Sequence, residues 1–349
     1  MPRLPWICAG IIFKGMKRIL FIILVPLVFM SACKSDSDIL AEMDGTVITR
    51  GEFRDWLNSK GIPLENIMQS RSAYIMNLEQ LGVEKLTSGK ALENNFDKDP
   101  YFIKLHDIIY RNYTAAYFRD YIYDNMDFNE TAADESSLED VKKHLLEAAL
   151  ERIEKNAFDS FNVKSYITEI SYSRGSEVIF SVSGETFTVK DLNDILEIFY
   201  ELKYGSKPLK KMTKENKILT SRRILSETLQ FREAIARGIH KDSEFVKRWD
   251  MLKRSALSGA YKYRTLADAV AVTAADVSDE YRSNLNKRYY RIQERGGAHI
   301  KVPIPFSEVR ESISHQLFRD KMTSVRKKWD KSILSESNFV INESLISAK

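Results

Sequence analysis

Cysteine is almost absent from this chain of 349 residues, which carries only Cys8 and Cys33. Both lie in or at the end of a leader segment described below, so no thiol pair remains for the folded part and disulfides are excluded there. Glycine and proline are sparse, at 14 and 8 residues. Gly205, Gly259 and the Gly296-Gly297 pair stand outside any P-loop or dinucleotide pattern. The five histidines, His106, His144, His240, His299 and His315, are scattered without a zinc-ligand motif, so neither a metal site nor a cofactor is expected. Leu257-Ser258-Gly259 and Thr87-Ser88-Gly89 lack the flanking glycines of a nucleophile elbow, and no catalytic residue is expected.

Charge of one sign is missing as well. The formal +4 of the chain equals the four bases Arg3, Lys14, Lys17 and Arg18, which sit in an acid-free leader. Without that leader the chain is neutral, with Lys and Glu interspersed, so no nucleic-acid partner is implied.

What the sequence does contain begins with that leader. Lys17-Arg18 precede the apolar run Ile19–Met30, and Ser31-Ala32-Cys33 follow it, the order of a signal peptide. The run holds Pro26 and falls short of the ~20 residues of a membrane span. Met30-Ser31-Ala32-Cys33 reads as a lipobox, making Cys33 the expected lipidation site and first mature residue; Met16 is a candidate start codon. Residues 33–38 then form a short lipidated linker. The expected location is extracytoplasmic, on a membrane facing the periplasm, with the outer membrane favoured because Lys34 is not an acidic retention residue.

The remainder repeats itself. Asp44-Gly45-Thr46-Val47-Ile48-Thr49-Arg50-Gly51-Glu52-Phe53 returns as Ser183-Gly184-Glu185-Thr186-Phe187-Thr188-Val189-Lys190-Asp191-Leu192. Each copy reads as a strand, a glycine turn and a helix opened by a Thr cap with an acid three residues on. Asp97-Lys98-Asp99-Pro100-Tyr101-Phe102 likewise matches His240-Lys241-Asp242-Ser243-Glu244-Phe245, and long amphipathic helices follow at about 100–126 and 243–268. Closing helices are expected at about 137–161 and 305–334, each followed by a β-rich segment, Ser165–Tyr172 and Asn338–Ile341. Ser165–Tyr172, Arg174-Gly175-Ser176 and Val178–Val182 together signal a hairpin joining the copies. Residues 204–216 form the clearest loop. The expected fold is mainly α with short β elements (α+β), as two tandem helical modules at 39–172 and 173–349 joined by a β-hairpin.

These motifs, with the closing Phe306-Ser307-Glu308-Val309-Arg310 helix and its Val-x-Ile-type strand, resemble the SurA and PrsA family of extracytoplasmic chaperones and parvulin-type prolyl isomerases. The resemblance implies a client-binding framework for unfolded or nascent exported proteins. Where the family carries a parvulin domain, only fifteen residues separate Tyr290 from Phe306, too few to build one, although Gly296–Val302 looks like a parvulin edge strand with His299 on it. The expected function is therefore a membrane-anchored chaperone that binds without catalysis. A prolyl isomerase, or an assembly lipoprotein with one dedicated partner, are the alternatives. The dense tyrosines of the first long helix have two readings, core packing or a client-binding groove; Tyr110, Tyr113 and Tyr117 are the candidates for the latter.

Overall fold

A computed structural model describes residues 35–126, 135–205, 212–295 and 297–346. The leader and Cys33 lie outside these residues.

The first half opens with strands β1 (Ile39–Met43) and β2 (Thr46–Thr49) around a two-residue turn in which Asp44 and Gly45 both have positive φ, 38° and 74°. Such a turn matches the twist of the paired strands, and glycine meets its left-handed geometry without strain. Helices α1 (Arg50–Ser59), α2 (Leu64–Met68) and α3 (Arg71–Glu93) follow, then a 3₁₀ turn, α4 (Pro100–Asp124), α5 (Glu135–Ser160) and the short β3 (Lys164–Ser165). The second half repeats this order: β4 (Val178–Val182), β5 (Glu185–Thr188), α6 (Val189–Tyr204), α7 (Lys214–Ala236), a 3₁₀ turn and α8 (Ser243–Val270). It then adds α9 (Ala274–Asn284) and the hairpin β6 (Tyr290–Arg295) and β7 (Ala298–Pro303), before α10 (Phe306–Glu336) and β8 (Val340–Ile341). The chain is mainly helical with small antiparallel sheets.

The caps explain where the helices start. Thr49 and Thr188 accept from the N–H groups of Glu52 and Asp191, and Asp99 and Asp242 cap α4 and α8 from their side chains. The reciprocal half of the capping box is complete at Asp191, as it is at Asp276 for Thr273 before α9, but not at Glu52. Glu52 instead turns its carboxylate to Lys85 at 2.8 Å and Arg254 at 3.0 Å.

The halves interlock. β8, the last strand of the second half, pairs antiparallel with β1 of the first, Ala41 opposite Ile341 and Glu42 opposite Val340. β3, the last strand of the first half, pairs with β4 of the second, Phe180 opposite Ser165 and Ser181 opposite Lys164. These are the same registers at a 139-residue offset, and both hairpins carry a bulge at equivalent places, between Ile39 and Ala41 and between Val178 and Phe180. The helices follow suit. α3 packs on α8 and α10, whereas α7 packs on α4 and α5. The ion pair Lys104–Asp194 joins α4 to α6, and Lys247–Asp55, at 2.9 Å, joins α8 to α1. A pseudo-twofold axis thus relates the halves. The largest core cluster mixes them accordingly, placing Phe102, Leu105 and Ile108 with Ile179, Leu192, Leu225 and Leu257.

One expected strand is different. Of the β-rich segment 165–172 only Ser165 enters a sheet, joined there with the preceding Lys164 as β3, and residues 166–177 form turns. The Glu177 carboxylate accepts backbone N–H groups from Ser171, Ser173 and Arg174, which holds it well below the usual carboxylate range, at about 2. Local side-chain to backbone bonds of this kind compete with a sheet ladder. The joining hairpin survives as the β3–β4 pair with this long turn between its strands.

A close approach seats the closing strand. A Cβ on Gly82 of α3 would stand 2.6 Å from the ring of Phe339, just before β8. Helix propensity alone favours Gly82→Ala by about 1 kcal/mol. Overpacking costs about 1–3 kcal/mol, so Gly82→Ala is expected to lower the urea midpoint, and Phe339→Leu in the same chain to recover part of the loss. A higher midpoint for Gly82→Ala would contradict this seating.

Candidate functional site

Where α4 packs on α8, equivalent helices of the two halves meet, and their sequences differ. The 143-residue offset that relates α3 to α7 aligns Phe102 with Phe245, Tyr113 with Ala256 and Tyr117 with Ala260. On the side of the second half, Phe245 is covered by the rings of Tyr113 and Tyr117, each centred 5.2 Å away. Trp249 stacks on Tyr113 at 5.9 Å and meets Tyr110 edge-on at 4.7 Å. The three candidate tyrosines are therefore brought together, half-buried, as packing between α4 and α8. Tyr117 also donates to Asp242 at 3.1 Å.

On the side of the first half, Ala256 and Ala260 stand for Tyr113 and Tyr117, Lys253 stands for Tyr110, and a cleft of about 690 Å³ opens there. Its floor is Leu105 and Ile109 of α4 with Ala256, Gly259 and Ala260 of α8. Trp56 and Lys60 of α1 with Val83 and Glu84 of α3 form one wall, Phe199 and Leu202 of α6 another. Met322, Arg326, Lys327 and Asp330 of α10 form the third. Phe199 is 42% exposed, a large apolar ring facing open space. None of Tyr110, Tyr113 and Tyr117 lines this cleft.

The polar groups of the walls are arranged in pairs. Buried Glu84 accepts from the Trp56 indole at 3.2 Å and faces Lys60 at 3.3 Å, while Lys60 donates to Ser255 at 2.8 Å. Lys262, only 6% exposed, reaches Asp330 at 2.6 Å. Burial pushes the Lys262 ammonium below its ordinary range, against the opposing pull of Asp330. The other oxygen of Glu84, Oε1, is buried and faces the Arg254 guanidinium at 3.6 Å.

The histidines do not converge. His106 sits in the aromatic cluster against Trp249, His315 stacks on Tyr204 and bonds the Tyr200 hydroxyl, and His299 lies on the exposed β6–β7 hairpin opposite Glu294. Among the described residues no group of three His, Cys, Asp or Glu could hold a metal ion. Likewise among them, no helix is long and apolar enough to cross a membrane. Sequence reasoning missed the cleft; its signal was Ala256 and Ala260 standing where the repeat has Tyr113 and Tyr117, within a run of small residues.

One family model, whose description reads only ":-like", matches residues 14–157, less than half of the chain. No curated protein and no solved structure matches it.

Two buried hydroxyls give a pH dependence to this crossing. Tyr101 and Tyr113 have no hydrogen-bond partner for their hydroxyls, and burial raises both to about 12. An unfolded tyrosine ionises near 10, so between about pH 10 and 12 the unfolded state loses protons that the folded state keeps. Stability present below pH 10 is then lost as pH rises through that window. Tyr101→Phe with Tyr113→Phe removes unsatisfied hydroxyls, so the double variant is expected to be at least as stable at pH 7 and to lose less between pH 10 and 12. A fall as steep as the parent's, followed by urea unfolding at each pH, would contradict the assignment.

Proposed function

We propose that the chain is a non-catalytic holding protein of the SurA and PrsA type, which shelters extended segments of unfolded exported polypeptides in the cleft between α1, α3, α6, α8 and α10. The observation that carries this reading is the cleft: an apolar floor with the exposed Phe199 at its edge and a charged rim. Exposed apolar surface rimmed by polar groups is the signature of a protein-binding site. Its two carboxylates, Glu84 and Asp330, are each tied to a lysine. The repeat supplies a template for an occupant. In the other half of the crossing, tyrosine rings fill the space that Ala256 and Ala260 leave open, so an aromatic client residue is a fitting guest. The lipobox at Cys33 supports attachment to a membrane, with stable anchoring requiring more than one acyl chain.

Gly259 offers a direct test, because it faces the cleft and an added Cβ there meets no atom within 4 Å. Gly259→Phe is expected to fold normally and to abolish suppression of aggregation when an unfolded exported β-barrel protein is diluted from urea, read by light scattering. Gly89 of α3 is equally unobstructed but lies away from the cleft, so Gly89→Phe is expected to keep the activity. Full activity in Gly259→Phe would contradict the cleft as the holding site. For the anchor, labelled palmitate is expected in the parent chain and absent from Cys33→Ser; label in both, or in neither, would contradict lipidation at Cys33.

A further inference from the structure

The charge of the cleft is unbalanced in one place. Lys60, Lys262, Arg326 and Lys327 line it against only Glu84 and Asp330, although the chain beyond its leader is neutral. Lys60 answers Glu84 and Lys262 answers Asp330. Arg326 and Lys327, on consecutive positions of α10, are exposed, and neither forms an ion pair among the described residues. Arg326 lies close enough to the buried Lys262 to repel its ammonium. Lys262, which holds Asp330, and the unpaired Arg326 and Lys327 thus stand at the α8–α10 edge with a single carboxylate among them. A negative group entering there relieves that repulsion and gains charge-assisted hydrogen bonds from the guanidinium and the ammonium.

The opposite wall is already satisfied: Glu84 Oε2 takes the Trp56 indole and Lys60, and Oε1 faces the Arg254 guanidinium at 3.6 Å. Unpaired cations on α10 beside an apolar floor therefore describe an extended chain that carries a carboxylate towards α10 and apolar side chains downward.

We infer that the cleft selects extended polypeptide segments in which an acidic side chain neighbours apolar ones, with Arg326 and Lys327 as the residues that read the carboxylate. This rests on the proposed holding function and adds a charge preference to it.

The test uses the full chain reconstituted in nanodiscs and three fluorescein-labelled peptides with identical apolar residues. They carry Asp-Asp, Ser-Ser or Lys-Lys at the centre. Fluorescence anisotropy is expected to rank them Asp, then Ser, then Lys, with about fivefold between the first two, the size of one or two well-placed surface charge pairs. The gap is expected to shrink as salt rises from 50 to 500 mM, as screening requires. Arg326→Glu with Lys327→Glu should reverse the ranking, and Arg326→Gln with Lys327→Gln should flatten it, both variants keeping the parent's circular dichroism spectrum. Equal affinity for the Asp and Ser peptides, or an unchanged ranking in the Glu variant, would overturn the charge preference and leave the holding function standing. Failure of all three peptides to bind would overturn the holding function and the preference together.

Discussion

The exchange of closing strands between the two halves is the constraint from which the remaining structure follows. β8 cannot pair with β1, nor β3 with β4, unless α10 returns along the first half and α5 along the second. That requirement sets α3 against α8 and α10, and α7 against α4 and α5. The backbone hydrogen bonds at stake are few, but they fix the ends of long helices whose burial supplies most of the free energy. Phe339 on Gly82 shows how closely the returning strand must dock.

Within this near-symmetric frame, a single difference creates the site. The rings of Tyr110, Tyr113 and Tyr117 complete the packing on Phe245 and Trp249, while Ala256 and Ala260 leave the equivalent space beside Leu105 open. Interiors are close-packed, with few voids larger than water. A cleft of this size in an otherwise repeated arrangement is thus a feature of the second half's sequence. Its walls come from helices of both halves, Trp56 and Glu84 from one and Phe199 and Arg326 from the other. Binding in the cleft is consequently tied to the integrity of the interlock.

Much of the secondary structure was legible in the sequence, because caps and turns are local. Thr49, Asp99, Thr188 and Asp242 mark helix starts that the structure reproduces. The internal repeat was legible too, since equivalent residues recur at nearly constant offset. Strand exchange was not, because a two-residue strand such as Val340-Ile341 pairs equally well on paper with either hairpin, and only the direction of α10 decides. Segment 165–172 misled for a related reason: alternating apolar residues suggested a strand, yet Glu177 captures the backbone N–H groups and closes a turn. The tyrosine stripe was visible as a cluster, but which partner covered it depended on Phe245 and Trp249, more than 125 residues away in the chain. The cleft is written as small residues, which carry no pattern until the repeat is superposed.

Hydrogen exchange of the intact chain in graded urea addresses the interlock most directly. If the halves hold each other together, the slowest amides of β1 and β2 and those of β4 and β5 belong to one cooperative unit and lose protection along a single free-energy line with one slope. Two separate lines, with one half still protected at urea concentrations where the other exchanges freely, would contradict the account.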